Sequence, residues 1–176
     1  MLKRLTAFLD PLLSSKQSGF RRKDGTSQQL LRLVQEWSVA LDSSQLVGVI
    51  FLDLKKAFDR VCLPRLLLKL MSAGLQGKSL AWCESCLTGC SQRVRVGSNI
   101  SAAEPLHAGV PQGAILSPLF FSLYINDVVT SADANFNLFA DDTSAYITDR
   151  SPRKLQDRLQ AVLDQLSLWF KTWVSL

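Results

Sequence analysis

The sequence predicts a single domain of the mixed α+β class, and three observations lead to this prediction. Apolar residues at helical spacing alternate along the chain with short strand-like runs. Residues 137–146 place two adjacent carboxylates, Asp141 and Asp142, between two β-prone runs, which is typical of a tight hairpin with the acids at its tip. Residues 47–52 form another apolar, strand-like run that ends directly in Asp53.

The elements before residue 75 are predicted from periodicity and capping residues. Apolar spacing predicts an amphipathic helix at the start of the chain, followed by a polar, basic loop over residues 14–25. Thr26 is predicted to cap a helix that runs to about residue 41. The apolar run of residues 47–53 predicts a buried, central strand. Pro64 then fits the first turn of a helix that Gly74 ends.

The later elements follow the same logic. Residues 80–87 predict a short helix, and the alternation of residues 93–97 predicts a surface strand. Ser117 and Pro118 are predicted to cap and start a helix over residues 119–129. Ser151 and Pro152 precede a last helix, whose apolar and tryptophan stripe is predicted to pack on the sheet.

Composition limits the class of protein. The 176 residues suffice for one domain, and the longest apolar runs fall short of the roughly 18 residues that span a bilayer. Polar residues and Pro11 interrupt the apolar start, so we expect no secretory signal. We expect an intracellular protein without a membrane partner, in either the nucleus or the cytoplasm. The net charge of +5 favours a polyanionic partner.

The four cysteines include a C-x-x-C pair, Cys83 and Cys86, which raises the question of a zinc site. The chain has one histidine, His107, and no second C-x-x-C completes a set of four ligands. We therefore interpret the cysteines as buried thiols in a reducing compartment.

Carboxylates and a glycine-rich loop are the candidate site residues. Oxygen ligands such as Asp53, Asp141 and Asp142 suit Mg²⁺ or Mn²⁺, provided that the fold brings their strands side by side. The two adjacent acids would repel each other without a cation, so metal binding is predicted to stabilise the fold. Residues 109–113, Gly-Val-Pro-Gln-Gly, either connect a loop to a helix or let the backbone approach a ligand closely. Asp59 and Asp127 lie near helix ends, where capping or a salt bridge is the ordinary role, and we exclude them from the site.

Three tracts occur in an order that resembles a known family. They are Phe-Leu-Asp-Leu-Lys-Lys-Ala-Phe-Asp-Arg-Val at residues 51–61, Gly-Val-Pro-Gln-Gly-Ala-Ile-Leu-Ser-Pro-Leu-Phe at residues 109–120, and Phe-Ala-Asp-Asp at residues 139–142. This set resembles the reverse transcriptases of non-LTR (LINE-type) retrotransposons. The likeness extends upstream to residues 17–21 and downstream to residues 155–173, so it covers nearly the whole chain.

The resemblance implies a reverse-transcriptase palm, which is a small antiparallel sheet that bears the acids, with helices packed on one face. It implies a partial helical fingers region over residues 1–45, a palm with catalytic carboxylates over residues 46–150, and a C-terminal palm helix over residues 151–176. The family usually carries more fingers before such a chain and a thumb after it, so we expect a domain truncated at both ends.

The resemblance also assigns roles. It implies that the palm carboxylates and the Leu54 carbonyl hold two Mg²⁺ (or Mn²⁺) ions, that Phe58 blocks a ribose 2′-hydroxyl, and that basic side chains contact nucleic acid. Without the resemblance, Phe58 would be interpreted as a core ring and the basic clusters as solvated faces. The implied residues are, for catalysis, Asp53, Asp141 and Asp142; for metal, the same three acids and Leu54; for the nucleotide, Leu54, Phe58, Gln112 and Gly113; and for nucleic acid, Arg21, Arg22 and Arg93.

The implied function is that of an RNA-directed DNA polymerase, an enzyme that transfers a nucleotide from a dNTP to the 3′-hydroxyl of a DNA primer on an RNA template. The alternative is a non-catalytic, retrotransposon-derived remnant or nucleic-acid-binding module that keeps the palm fold. The sequence points to no particular protein partner.

Overall fold

A computed structural model describes residues 2–21 and 25–173, and it has the predicted α+β architecture. Within these residues, the α-helices are α1 (Leu2–Leu9), α2 (Thr26–Asp42), α3 (Leu63–Ser72), α4 (Gly77–Leu87), α5 (Ser117–Tyr124) and α6 (Pro152–Trp173). The strands are β1 (Leu46–Leu52), β2 (Ser91–Gln92), β3 (Arg95–Val96), β4 (Asn99–Ile100), β5 (Glu104–Pro105), β6 (Asn135–Phe139) and β7 (Asp142–Asp149). Short 3-10 helices cover Asp10–Leu12, Phe58–Arg60 and Asn126–Thr130.

The main sheet has the strand order β1-β7-β6 and is antiparallel throughout. The prediction that β1 is a buried, central strand is wrong, because β7 lies in the middle of the described sheet, and of the β1 residues only Gly48 is buried while Phe51 is exposed. An unbroken apolar run indicates that both faces of a strand carry apolar side chains. It does not indicate whether other strands pair with both of its edges. In β1, Gly48 packs under α6, and the preceding α2 contacts the same strand.

The hydrophobic core lies between the sheet and α5 and α6. Alternating side chains of β6 and β7, among them Phe136, Leu138 and Ala145, are buried on this face. A Cβ atom at Gly48 would lie 2.6 Å from Cδ1 of Leu159, so α6 sits as close to β1 as glycine allows. The predicted packing of the last helix on the sheet is confirmed, since Trp169 is buried in this core.

The opposite face of the sheet is partly covered by α2. The hydroxyl of Tyr146 donates a hydrogen bond to Glu36 at 2.7 Å, and the Tyr146 ring meets Trp37 edge to face. α2 belongs to residues 1–45, the region that the resemblance implies to be partial fingers, and it contacts the sheet on the face opposite α6. α2 is amphipathic, and its buried residues, Leu33 and Ala40 among them, need an apolar surface that the sheet supplies.

Three helix starts differ from the predictions. Gly25, not Thr26, is the N-cap of α2, and no side chain caps that helix. α4 begins three residues before its predicted start. Ser117 is the first residue of α5, and its hydroxyl donates to the Pro111 carbonyl at 2.5 Å instead of capping.

Two predicted elements are shorter than expected. The helix predicted over residues 119–129 ends at Tyr124, and the chain continues as a 3-10 helix. The surface strand predicted over residues 93–97 is reduced to the two residues of β3, paired with β4. Both β3 residues are exposed, so they lack the packing that lengthens a strand.

Of the cysteines, Cys83 is buried and the other three are half-buried.

Lys69 joins α3 to the end of α6. Its ammonium donates to Asp127 at 2.6 Å and to the carbonyl of Tyr124, and it lies 3.9 Å from the centre of the Trp173 ring. Burial lowers the pKa of Lys69, and the hydrogen bond and charge of Asp127 oppose that shift. The salt bridge predicted for Asp127 is confirmed.

Candidate active site

The register of β1 and β7 brings two of the predicted acids together. Leu52, the last residue of β1, pairs with Thr143, and continuing this register by one residue past the strand sets Asp53 opposite Asp142. Directly opposed residues share a face of the sheet, here the face that also carries Tyr146. Both acids are exposed, and both line a cleft of about 490 Å³ between this face and α2, here called the acid cleft. Strands far apart in sequence therefore present one pair of carboxylates.

Asp141 lies beside this pair, in the turn of the β6-β7 hairpin. Phe139 pairs with Asp142, which leaves Ala140 and Asp141 as a two-residue loop, here called the tip. The tight hairpin with acids at its end is confirmed. Ala140 has a φ of 58°, a conformation that usually selects glycine, asparagine or aspartate at this position of a hairpin. A non-glycine residue in such a conformation needs support from its surroundings.

That support comes from residues 16–19, here called the strap. Gln17 is fully buried, and its side-chain oxygen accepts hydrogen bonds from the N–H groups of Ala140, at 3.1 Å, and Gly19, at 2.8 Å. Its amide nitrogen donates to the Ala140 carbonyl at 3.3 Å. The sequence motif contained Gln17, but no periodicity or spacing signalled that it reaches the tip.

The donor set fits a divalent cation that also binds its substrate. In residues 2–21 and 25–173, no three His, Cys, Asp or Glu side chains are gathered closely enough to hold a metal by themselves. Mg²⁺ is commonly held by one or two carboxylates together with substrate phosphates, and the opposed Asp53 and Asp142 supply such a pair. The Leu54 carbonyl accepts a hydrogen bond from the Ala57 N–H at 3.1 Å. Its oxygen has a second lone pair, which is available to a metal ion.

Three of the four predicted nucleotide residues lie in a separate cavity, whereas Leu54 lines a pocket beside Asp53. Phe58, Gln112 and Gly113 line a volume of about 480 Å³ together with Phe20. The Phe58 ring stacks on Phe121 with centroids 4.5 Å apart and meets Phe20 edge to face. Phe58 is thus both a partner of the core and a wall of the cavity, and its role in substrate selection stays a prediction.

Asp59, which we excluded from the site on the basis of sequence, contacts a residue that lines this cavity. Its carboxylate accepts a hydrogen bond from the Gln112 side chain at 2.7 Å. A Cβ atom at Gly109 would lie 2.8 Å from the Asp59 Cα atom, so the glycine lets the two loops meet. Asp59 orients Gln112, a role that spacing alone did not indicate.

The three predicted nucleic-acid residues have different surroundings. The Arg21 guanidinium is held by Asp10 at 3.2 Å and by the Ser14 carbonyl at 3.0 Å, which makes it a structural link to the 3-10 helix that follows α1. Arg93 is exposed between β2 and β3. Arg22 lies outside the described residues.

A comparison with protein families decides between interpretations of this arrangement. The family model described as reverse transcriptase (RNA-dependent DNA polymerase) matches residues 1–173. The chain belongs to the reverse transcriptase family. Proteins of this family generally use divalent metal ions, in keeping with the carboxylate donors described above.

Relatives narrow the branch of the family to the LINE-type, non-LTR retrotransposons. The chain is 34% identical over 162 residues to a probable RNA-directed DNA polymerase from transposon X-element of Drosophila melanogaster. It is 32% identical over 165 residues to the RNA-directed DNA polymerase from mobile element jockey of the same organism. Each match covers 89% of this chain and 18% of the relative, so the chain spans less than a fifth of these proteins.

Solved structures confirm the palm fold of this reverse transcriptase domain. Telomerase from Candida tropicalis, truncated from its C-terminal domain, matches 94% of this chain and 36% of that one, with a TM-score of 0.68 and 16% identity. Telomerase from the same organism in complex with a fragment of telomeric RNA matches 98% and 31%, with a TM-score of 0.69 and 15% identity. No helix in the described part of the chain is long and apolar enough to cross a membrane.

Proposed function

We propose that this chain is the palm core of an RNA-directed DNA polymerase, which extends a DNA primer on an RNA template with dNTPs. The observation that carries the proposal is the β1-β7 register, which sets Asp53 opposite Asp142 and leaves Asp141 in the adjoining turn. Asp142 begins β7, and Asp53 and Asp141 adjoin strands of the same sheet, which favours a fixed geometry of the ligands.

Within this proposal, Asp53, Asp141 and Asp142, with the Leu54 carbonyl, are the residues that would hold two Mg²⁺ or Mn²⁺ ions. Such ions, when bound, activate the attacking hydroxyl and neutralise the phosphates of an in-line displacement. The chain's own contribution is positioning. The sheet aligns the acids, and Asp59 orients Gln112 towards the cavity where Phe58 would exclude a ribose 2′-hydroxyl.

Nucleic acid is the proposed partner, and the net charge of +5 supports it. Arg93 is the better candidate for a phosphate contact, because it is exposed whereas Arg21 is tied to Asp10. An intracellular location, in the nucleus or the cytoplasm, accords with this partner.

The deciding experiment is primer extension by the purified chain on an RNA template with Mg²⁺ or Mn²⁺. The extension rate of the double variant Asp141→Ala/Asp142→Ala should fall by more than about 100-fold. Changes to residues that only orient metal ligands already lower metal affinity or activity by about 10- to 100-fold. Asp133→Ala is the matched control, since that carboxylate is 95% exposed and remote from the acid cleft. Equal extension by the double variant and the parent chain would contradict the assignment of the acids.

One observation favours a second candidate, a non-catalytic remnant or nucleic-acid-binding module. α2 lines the acid cleft on the same face as Asp53 and Asp142, and it therefore narrows access to them. A folded chain that binds RNA in a salt-sensitive way, without stabilisation by Mg²⁺ and without extension, would support this candidate. Stabilisation by Mg²⁺ that the double variant lacks would instead support the metal site.

A further inference from the structure

The tip of the catalytic hairpin holds a conformation that its sequence does not favour. Ala140 has a φ of 58°, a conformation that L-residues other than glycine, asparagine and aspartate rarely adopt. Glycine would adopt this conformation readily. Ala140 directly precedes Asp141, so any relaxation of its backbone turns the neighbouring carboxylates. The conformation must therefore be held from outside the hairpin.

One side chain provides the hydrogen bonds for that purpose. The carboxamide of Gln17 accepts from the Ala140 N–H at 3.1 Å and donates to the Ala140 carbonyl at 3.3 Å, so it satisfies both backbone groups of the strained residue. A carboxamide carries a donor and an acceptor side by side in one rigid plane without needing a change of protonation. Glutamate of equal length lacks the donor, and methionine lacks both.

The backbone of the strap fixes where this side chain stands. Ser18 N–H donates to the Leu138 carbonyl, and Leu138 N–H donates to the Lys16 carbonyl, each at 2.9 Å. A Cβ atom at Gly19 would lie 2.0 Å from the Ala140 nitrogen. The strap therefore lies against the tip without a gap, and Gln17 has no room to turn away.

We propose that Gln17 is a positioning residue for the metal site, acting on Asp141 and Asp142 through the backbone of Ala140. The proposal rests on the proposed function, because it assumes that these acids hold a divalent cation. Gln17 touches neither acid side chain. Its loss should weaken metal binding by about 10- to 100-fold, as is typical of residues that orient metal ligands.

The test uses the Gln17→Met variant, which keeps the length of the side chain and removes its hydrogen bonds. Mn²⁺ binding to the whole chain is titrated by electron paramagnetic resonance, and hydrogen exchange of residues 138–142 is followed without metal. We expect weaker Mn²⁺ binding and exchange of the Ala140 amide that is at least about fivefold faster. Exchange in the centre of β7, at residues 145–147, should be unchanged and serves as the internal control for folding. Gln165→Met, an exposed change on α6, is the matched control for the substitution type.

A second change separates positioning from a general loss of structure. Ala140→Gly adopts the positive φ without help, so Gln17→Met/Ala140→Gly should recover at least a few-fold of the lost Mn²⁺ affinity. Weak binding by Gln17→Met with no recovery in the double variant would overturn the proposal, as would unchanged exchange at Ala140. If the parent chain binds no Mn²⁺, the proposed metal function fails, and with it the metal part of this inference. The exchange data still decide whether Gln17 holds the tip.

Discussion

At the scale of single residues, Tyr146 joins the sheet to α2 through one buried hydroxyl. This group donates to Glu36 at 2.7 Å. Burial, and then the hydrogen bond and charge of Glu36, raise the pKa of Tyr146 above its ordinary value of 10.0. The folded chain therefore keeps a proton that the unfolded chain releases above pH 10.0, and stability falls as the pH rises through that range.

Tyr146→Phe tests this linkage. The variant should lose about 1 kcal/mol of stability at pH 8, because Glu36 is half-buried and can be solvated in its place. Above pH 10 its stability should decline less steeply than that of the parent chain, because no phenol remains to ionise at this position. Urea unfolding at pH 8 and pH 10.5 measures both effects. Parallel declines of the two proteins would contradict the assignment.

Residues of the site divide into those that sequence could predict and those that it could not. The places of Asp53, Asp141 and Asp142 beside strands were predictable, because each acid directly adjoins a strand-like run in the sequence. Gln17 and Asp59 form hydrogen bonds with residues 123 and 53 positions away in the sequence. The residues next to them in the sequence do not indicate these contacts. A polar residue with a distant partner leaves no periodic signal in a single sequence.

At the scale of elements, the contact between β1 and α6 depends on the absence of a side chain. A Cβ atom at Gly48 would lie 2.6 Å from Leu159 and 3.2 Å from Leu155. The atoms that it would meet are the ends of flexible side chains on α6, so a larger residue forces a local repacking that the helix can partly absorb.

Gly48→Ala should therefore destabilise the fold by roughly 1 kcal/mol, since overpacking outweighs the gain in backbone entropy. Leu159→Ala makes room for the new methyl group. The double variant should therefore lose less free energy of unfolding than the two single variants lose in sum, by at least about 0.5 kcal/mol. Denaturant unfolding of the four proteins closes the cycle. Strict additivity would show that Gly48 and Leu159 are not in contact.

Element types were predictable where the pattern was long, as in α2, α3, α6 and the β6-β7 hairpin. The neighbours of each element were not predictable. The same apolar run occurs in a strand that is covered on both faces and in a strand that is paired on both edges. For β1, this ambiguity led to the wrong prediction of a central strand. For α2, an amphipathic pattern predicted a buried face but not the side of the sheet that buries it.

At the scale of the whole molecule, charge governs the proposed binding of nucleic acid. Each phosphate contact adds about one to the slope of log affinity against log salt concentration. Arg93→Ala should weaken RNA binding and reduce that slope by roughly one, whereas Arg21→Ala should lower stability and leave the slope unchanged, because Arg21 is paired with Asp10. Filter binding between 50 and 200 mM salt, a range over which the slope is measurable, tests both variants. An equal fall in slope for the two would contradict this distinction.

The hydrogen bonds between the strap and the tip also set the order in which the site can assemble. Gln17 and Ala140 are 123 positions apart, so the contact closes most of the chain into one loop. On a ribosome that adds about 5–20 residues per second, the N-terminal segment waits about 6–25 s before its partner exists. During that interval the Gln17 amide is solvated, and the acids of the hairpin have not been made. The contact between the strap and the tip therefore forms in a nascent chain only after the β6-β7 hairpin has been synthesised.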